Sequence, residues 1–176
     1  MRFIKKRVRL EAVLQLALMA PGVLFAQEGS RQPDSAGEYA EVVEEVRIAN
    51  ARFRQIETAI YEGWRSQSPE GCAVSPDGGQ AFHFLNPALV DSEVNVLHPE
   101  LFMYEPRADG SMELVGADYI IPFDQWHSSE PPQLLGHDFA RNEPLGVWAI
   151  HLWAWRANPN GVFAPWNPEV GCQHAH

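Results

Sequence analysis

The stretch between residues 38 and 62 has the clearest hydrophobic pattern in the chain. Its apolar residues recur at steps of three and four: Val42, Val46, Ala49, Phe53, Ile56 and Ile60. Such spacing lines one face of a helix. Ser35 with Glu38 fits a capping box, and Gly63 fits a stop. The pattern therefore predicts one long helix over Glu38–Glu62 that packs on a sheet of its own chain. A coiled-coil dimer is the alternative.

Beyond Gly63 the pattern changes to short segments rich in aromatic and branched residues. These segments are Gln80–Leu85, Leu101–Glu105, Met112–Ile121 and Val147–Trp155. Each is predicted to be a strand, and Arg107–Gly110 suits a hairpin turn between the second and the third. Long Pro-rich segments separate the others. The order predicts an α+β fold, with one long N-terminal helix packed on an antiparallel β-sheet with long Pro-rich loops.

The first 26 residues have the pattern of a secretory signal peptide. Five basic residues lie within Met1–Leu10, Ala12–Phe25 is almost wholly apolar, and Ala26 precedes an abruptly polar stretch. The apolar run is shorter than the ~20 residues that span a bilayer, although an uncleaved anchor or amphipathic helix is an alternative. We predict a signal peptide over 1–26, a flexible segment over 27–37, one globular domain over 38–172 and a tail over 173–176.

The signal pattern predicts that the protein is exported, either to the periplasm or out of the cell. The net charge of the chain limits the kinds of partner that it is expected to bind. Removal of residues 1–26 lowers the formal net charge from −10 to −14 and takes away every lysine. An acidic chain is a poor partner for nucleic acid or an anionic membrane, since both need positive surface. We expect no nucleic acid and no stable membrane insertion after cleavage. A small ligand or a protein partner, and a monomer or a dimer, all stay open.

Cys72 and Cys172 are the only cysteines of the chain. An even number of cysteines in an exported protein indicates a disulfide. The alternative is a pair of thiolate metal ligands, which their wide separation in the sequence disfavours.

Seven motifs together resemble a known group of proteins. They are Cys72–Pro76, His83–Pro87, Tyr104–Pro106, Leu114–Tyr119, His151–Trp155, Asn158–Phe163 and Trp166–Cys172. As a set they resemble a family of uncharacterised exported bacterial proteins, over the helix and nearly all of residues 71–172. The resemblance supports the boundaries and the disulfide and implies no reaction. The chain departs from the family at Asp118, where Glu is expected before Tyr119, which shortens the carboxylate by one methylene.

Two histidines lie in the middle of predicted strands. Alternation along a strand places His83 on one face with Ala81 and Leu85, and His151 on one face with Ala149 and Trp153. The opposite faces of both strands are strongly apolar and suit a core. The histidines are therefore expected to share the more open face of the sheet, and to converge if their strands are adjacent.

The hairpin supplies carboxylates for the same face. Glu105 and Asp118 are predicted to point the same way but lie too far apart along the strands to bind one ion together, while Tyr104 and Tyr119 fall on the other face. Either acid completes a set of two histidines and one carboxylate, which suits zinc, copper or iron. His137, in the long loop before the last strand, is a further candidate nitrogen ligand.

Other functions remain open at this point. Trp153 and Trp155 can line a metal-free ligand pocket with the two histidines, which would make the protein a non-catalytic binding or interaction module. A strand histidine can also have a purely structural role. The sequence has no Gly-rich phosphate loop, nucleophile elbow or HExxH pattern, and it leaves open whether the protein is an enzyme.

Overall fold

The computed structural model describes residues 37–66 and 71–175. The predicted signal peptide, almost all of the predicted flexible segment, the capping residue Ser35 and the last residue of the tail lie outside the described residues. All described residues belong to one compact unit. None of the helices in these two ranges is long and apolar enough to cross a membrane.

The helical region is broken into three pieces, so the prediction of one long helix is wrong. Helix α1 covers Ala40–Ala49, a 3-10 turn covers Ala51–Arg54, and helix α2 covers Ile56–Tyr61. Asn50 causes the first break, because its side-chain amide donates to the carbonyl groups of Val46 and Leu97, each at 3.0 Å. Leu97 lies in the loop between the strands Gly78–Leu85 and Leu101–Pro106, so helical periodicity gives no sign of this contact.

The break positions Phe53 in the core. Its side chain is 2% exposed, and its ring lies 4.6 Å from that of Trp64 and 4.9 Å from that of Phe102. Val46 of the predicted stripe is also buried, whereas Ile60 is 41% exposed. A helix that restarts after an extended residue no longer continues the same face, and this explains why only part of the stripe is buried.

A buried hydrogen bond ties the 3-10 turn to the sheet. The hydroxyl of Tyr104 donates to the carbonyl of Phe53 at 2.7 Å. Tyr104→Phe leaves that carbonyl without its partner, so we expect the free energy of unfolding to fall by about 1–2 kcal/mol. Urea denaturation measures the change. Tyr61→Phe, at a side chain that is 90% exposed, is the matched control, and equal effects of the two substitutions would contradict the prediction.

The strands of the described ranges form a seven-stranded antiparallel sheet and a separate two-stranded one. Their bounds are β1 Arg65–Ser66, β2 Ala73–Ser75, β3 Gly78–Leu85, β4 Leu101–Pro106, β5 Met112–Pro122, β6 Gln133–Leu134, β7 His137–Asp138, β8 Ala140–Asn142 and β9 Val147–Leu152. The large sheet has the order β1-β3-β4-β5-β9-β8, with β2 paired to β3 beside it. Strands β6 and β7 pair with each other.

The observed strands match the predicted ones in the centre of the sheet. The hairpin between β4 and β5 is confirmed, and its turn is closed by a hydrogen bond from Gly110 N to Arg107 O. Strand β9 ends at Leu152, three residues earlier than predicted. The mixture of helix and antiparallel sheet agrees with the predicted α+β class.

The two faces of the sheet carry different cores. The helical region covers one face and buries the larger cluster, which includes Phe53, Phe102 and Tyr119. A smaller cluster lies on the other face and consists of Ala81, Met103, Val115, Trp153 and Val170. The C-terminal segment runs along this second face. It is held there by the Cys72–Cys172 disulfide, which is confirmed, and by backbone pairing of Gly79 with Asn167.

Candidate metal centre

Three side chains of the second face converge on one point. His83 Nε2 lies 3.5 Å from His151 Nε2. Asp118 Oδ2 lies 3.9 Å from His83 Nε2 and 3.7 Å from His151 Nε2. Among the described residues this is the cluster whose ligand atoms are close enough to hold one metal ion. The predicted sharing of a face by the two histidines is therefore confirmed.

From the sequence we expected the imidazoles to converge if the strands of His83 and His151 were adjacent. The imidazoles do converge, but the two strands are not neighbours. Strands β4 and β5 lie between β3 and β9, and three strand spacings in a flat sheet add up to about 14 Å. Asp118 pairs directly with His151, whereas His83 pairs with Met103. The imidazole of His83 therefore has to reach across two strands, and this requires a curved sheet.

Two backbone irregularities lie beside the cluster. Ala81, two residues before His83, has a φ of 62°, which is uncommon for a residue with a Cβ. The β4–β5 ladder shifts register where Met103 pairs with Gly116 and Tyr104 with Leu114, so Val115 is an extra residue. A bulge bends its strand and increases the local twist. Both features lie in or beside the strands that carry the three side chains, where they allow the sheet to curve.

Gly116 makes room beneath the cluster. A Cβ at this position would collide with the terminal methyl of Met103. Met103 is fully buried, and it pairs with His83 on one side and Gly116 on the other. The missing side chain leaves room for the Met103 side chain against β5, on the strand next to His83.

Burial sets the charge states of the cluster. The side chains of His83, His151 and Asp118 are 16%, 12% and 8% exposed. Loss of water lowers the pKa of His83 to about 4, and burial together with the charge of His83 lowers the pKa of His151 to about 3. Burial, helped by the charge of Glu100, raises the pKa of Asp118 well above its ordinary value. At neutral pH both imidazoles are therefore neutral, and burial favours the protonated form of Asp118.

The polar atoms of the cluster have few partners. Asp118 Oδ1 is buried and accepts no hydrogen bond from the described residues. Oδ2 is too far from either imidazole for a normal hydrogen bond, and the two Nε2 atoms are at the upper limit of one. Buried polar atoms in such an arrangement cost stability unless another group satisfies them. A cation at their centre does so.

Glu105 does not join the cluster. Its Oε1 accepts a hydrogen bond from Gly171 N at 2.8 Å, and its Oε2 lies 3.3 Å from Arg107 and 3.2 Å from Arg156. The carboxylate forms ion pairs with two guanidinium groups, which Glu113 also contacts, and it fastens the C-terminal segment next to the disulfide. Of the two predicted carboxylates, Asp118 alone is in the cluster.

His137 also lies elsewhere. Its Nε2 is 2.7 Å from the hydroxyl of Tyr39, and its ring centroid is 4.3 Å from that of Phe163. These contacts place His137 against the larger core, on the helical side of the molecule. The structure therefore gives it a packing role and separates it from His83 and His151.

The two candidate pocket tryptophans lie in different clusters. The ring of Trp153 is 6.0 Å from that of His151, but the side chain is 2% exposed, and its Nε1 donates to Ala164 O at 2.6 Å. Trp155 packs against the larger core. The expected shared pocket is not formed, because β9 ends at Leu152 and the chain then turns away from the strand direction. Alternation predicts a common face only within a strand.

The sequence analysis missed Glu100. This residue is 3% exposed. Its carboxylate accepts a hydrogen bond at 3.1 Å from the backbone N of Ile120, two residues after Asp118 on β5. Burial, together with the charge of Asp91, raises the pKa of Glu100 to about 7, against the opposing effect of its backbone hydrogen bonds. An acid directly before an apolar strand was the available signal. A solvated acid at the end of a loop gives the same pattern.

Comparison with known proteins supplies no function for this site. The chain matches no family model, no curated protein and no solved structure.

Proposed function

We propose that this protein binds a divalent transition-metal ion through His83, His151 and Asp118. The observation that carries the proposal is the mutual approach of their three ligand atoms. An ion equidistant from these atoms and in their plane would lie about 2.1 Å from each, within the range of zinc–nitrogen and zinc–oxygen bonds. Small inward movements of the side chains would bring the set to tetrahedral geometry.

The ligand types favour zinc, copper or iron. Imidazole nitrogen suits these ions, whereas calcium and magnesium prefer sets of oxygen ligands. Three protein ligands also leave at least one coordination position free, as in catalytic sites and unlike closed structural sites. The set of two histidines and one carboxylate is compatible with metal-dependent chemistry, and it equally serves a protein that only carries the ion.

The compartment is part of the proposal. The Cys72–Cys172 disulfide fits an oxidising environment outside the cytoplasm. The signal pattern of residues 1–26 and the resemblance to exported bacterial proteins point the same way. An acidic chain also attracts cations to its surface. We therefore propose a metal-binding role after export, in the periplasm or outside the cell.

Metal titration tests the proposal directly. Metal-free protein is titrated with Zn²⁺ in a calorimeter, and the metal content of the dialysed product is measured by elemental analysis. We expect one ion per chain. His83→Ala and His151→Ala each remove a ligand and should weaken binding by at least a hundredfold. His98→Ala and His127→Ala, at exposed side chains, should leave it unchanged. Substoichiometric zinc, or equal zinc binding by all four variants, would reject the site.

A non-catalytic aromatic-lined binding module is the second candidate, and the observations favour it less. Trp153 is buried and Trp155 packs against the larger core. A groove of about 460 Å³ does lie beside Trp155, between the helical region and β5. Its charged walls include Glu44 and Arg47, which pair with each other. The metal proposal rests on convergent ligand atoms, and this groove offers no comparable set.

A further inference from the structure

An ion in this site would keep an uncompensated charge. A divalent cation brings two positive charges, the carboxylate of Asp118 supplies one negative charge, and the two imidazoles bind a metal ion in their neutral form and supply none. The remaining positive charge would lie among side chains that are at most 16% exposed. The buried acid Glu100 accepts a hydrogen bond from Ile120 N and is not one of the three converging ligand groups. A shielded ion whose own ligands leave it one positive charge is unfavourable. A monoanionic ligand in the free coordination position neutralises it.

An apolar strip borders the cluster on the same face of the sheet. The next pair along β5 and β9 on this face is Ile120 with Ala149. Leu85 belongs to the same face, because it pairs with Leu101, which pairs with Asp118. Leu85, Ile120 and Ala149 are all partly exposed, and Leu85 and Ile120 do not pack against the larger core. We call these three residues the apolar strip.

The opposite side of the cluster is closed. Met103, Val115 and Trp153 are buried there under the C-terminal segment, together with Val170. Of these two sides, the one with partly exposed residues is the apolar strip, and a ligand that approaches from solvent meets it. The part of the ligand next to the ion meets the charge, and the part beyond it meets aliphatic side chains.

We infer that the metal-loaded site binds a small carboxylate with an aliphatic tail. The inference rests on the proposed metal function and names the ligand class of that same site. The carboxylate occupies the free coordination position, and the tail covers Leu85, Ile120 and Ala149. The strip remains open to solvent on one side, so each methylene of the tail is only partly buried.

Cobalt-loaded protein provides the test, since the visible bands of Co²⁺ change when a ligand enters its coordination sphere. The protein is titrated with acetate, butyrate and hexanoate. Full burial of a methylene strengthens binding about fourfold. If the strip buries half of each methylene, each one should raise the affinity about twofold. Hexanoate should therefore bind about fifteenfold more tightly than acetate.

Substitutions in the apolar strip test where the aliphatic tail of the carboxylate lies. Leu85→Ser should lower the hexanoate-to-acetate affinity ratio several-fold, and Ile120→Thr gives a second, milder test. Leu145→Ser is the control, because Leu145 lies outside the strip and is 73% exposed; its ratio should not change. Circular dichroism verifies that each variant is folded.

The outcomes separate the two proposals. Failure to bind cobalt at all would overturn the metal function and the ligand class together. A cobalt spectrum that changes with pH but not with any carboxylate would mean that water or hydroxide keeps the free position. That result, or equal affinities for acetate and hexanoate, would overturn the ligand class alone.

Discussion

Replacing both Cys72 and Cys172 by serine is expected to lower the free energy of unfolding by about 4 kcal/mol. The disulfide closes a loop with a sequence separation of 100, and a loop of that length restricts the unfolded chain by about 4–5 kcal/mol in the chain-entropy model. For a domain of this size the loss corresponds to a melting temperature that is lower by roughly 10–15 °C.

In the folded protein, loss of the disulfide also affects the packing of the C-terminal segment. The bridge holds the C-terminal segment over the smaller core, where Val170 is 5% exposed, and Glu105 fastens the adjacent Gly171. Denaturant unfolding with and without dithiothreitol measures the effect. The reductant should destabilise the wild-type protein and leave the double-serine variant unchanged. A wild-type transition that does not respond to the reductant, at verified reduction of the bridge, would contradict the prediction.

The helical region shows what periodicity can and cannot predict. The stripe correctly indicated helix with one apolar face, and Val46 and Phe53 are buried as predicted. It could not reveal the break at Asn50, because the carbonyl of Leu97 that receives the Asn50 amide is 47 residues away. Tertiary hydrogen bonds of this kind override local preference, and a single sequence contains no sign of them.

The candidate metal centre likewise has features that the sequence could predict and features that it could not. The period of two along a strand placed His83 and His151 on one face, and that prediction needed only local geometry. Strand order depends on which segments pair, and no local pattern encodes it. The features that allow the sheet to curve there are the positive φ of Ala81 and the bulge at Val115, and neither residue type is distinctive.

Which of the two predicted carboxylates lies in the cluster also depends on contacts between residues far apart in the sequence. Glu105 and Asp118 both belong to the second face, as the alternation predicted. Glu105 forms an ion pair with Arg156 and accepts a hydrogen bond from Gly171 N, both from the C-terminal segment. Asp118 has no such partner and lies beside the imidazoles. The roles of the two acids were therefore decided by residues that lie 51 and 66 positions beyond Glu105 in the chain.

Asp118→Asn is expected to have opposite effects on the metal-free and the metal-loaded protein. Without metal, the buried carboxyl has to keep a proton or carry an unpaired charge, and both requirements disfavour folding at neutral pH. Asparagine has nearly the same shape and no charge, so the metal-free variant should be more stable than the wild type. With metal, the variant lacks the anionic ligand, and zinc should bind at least a hundredfold more weakly.

The pH dependence isolates the carboxyl. The pKa of Asp118 is raised in the folded state, so the stability associated with its proton is complete below the unfolded value of about 4 and is lost as the pH rises towards the folded value. The slope is about 1.4 kcal/mol per pH unit. The histidines act in the opposite direction: their pKa values are lowered to about 4 and about 3, so their contribution is lost as the pH falls below about 6.5. The histidines remain in the variant, and the difference between the two proteins therefore reports Asp118.

Zinc should abolish that difference in slope. Because the imidazoles are already neutral at pH 7, the protons that binding releases should come from Asp118, and the enthalpy measured in buffers of different ionisation heat gives their number. At a hundredfold excess over the dissociation constant, zinc should stabilise the wild type by about 2.7 kcal/mol, and its stability should no longer fall with pH. Asp118→Asn should release no proton. Parallel pH profiles for the two metal-free proteins would show that Asp118 is ionised in the folded state, which would remove the electrostatic basis of the argument even if zinc binds.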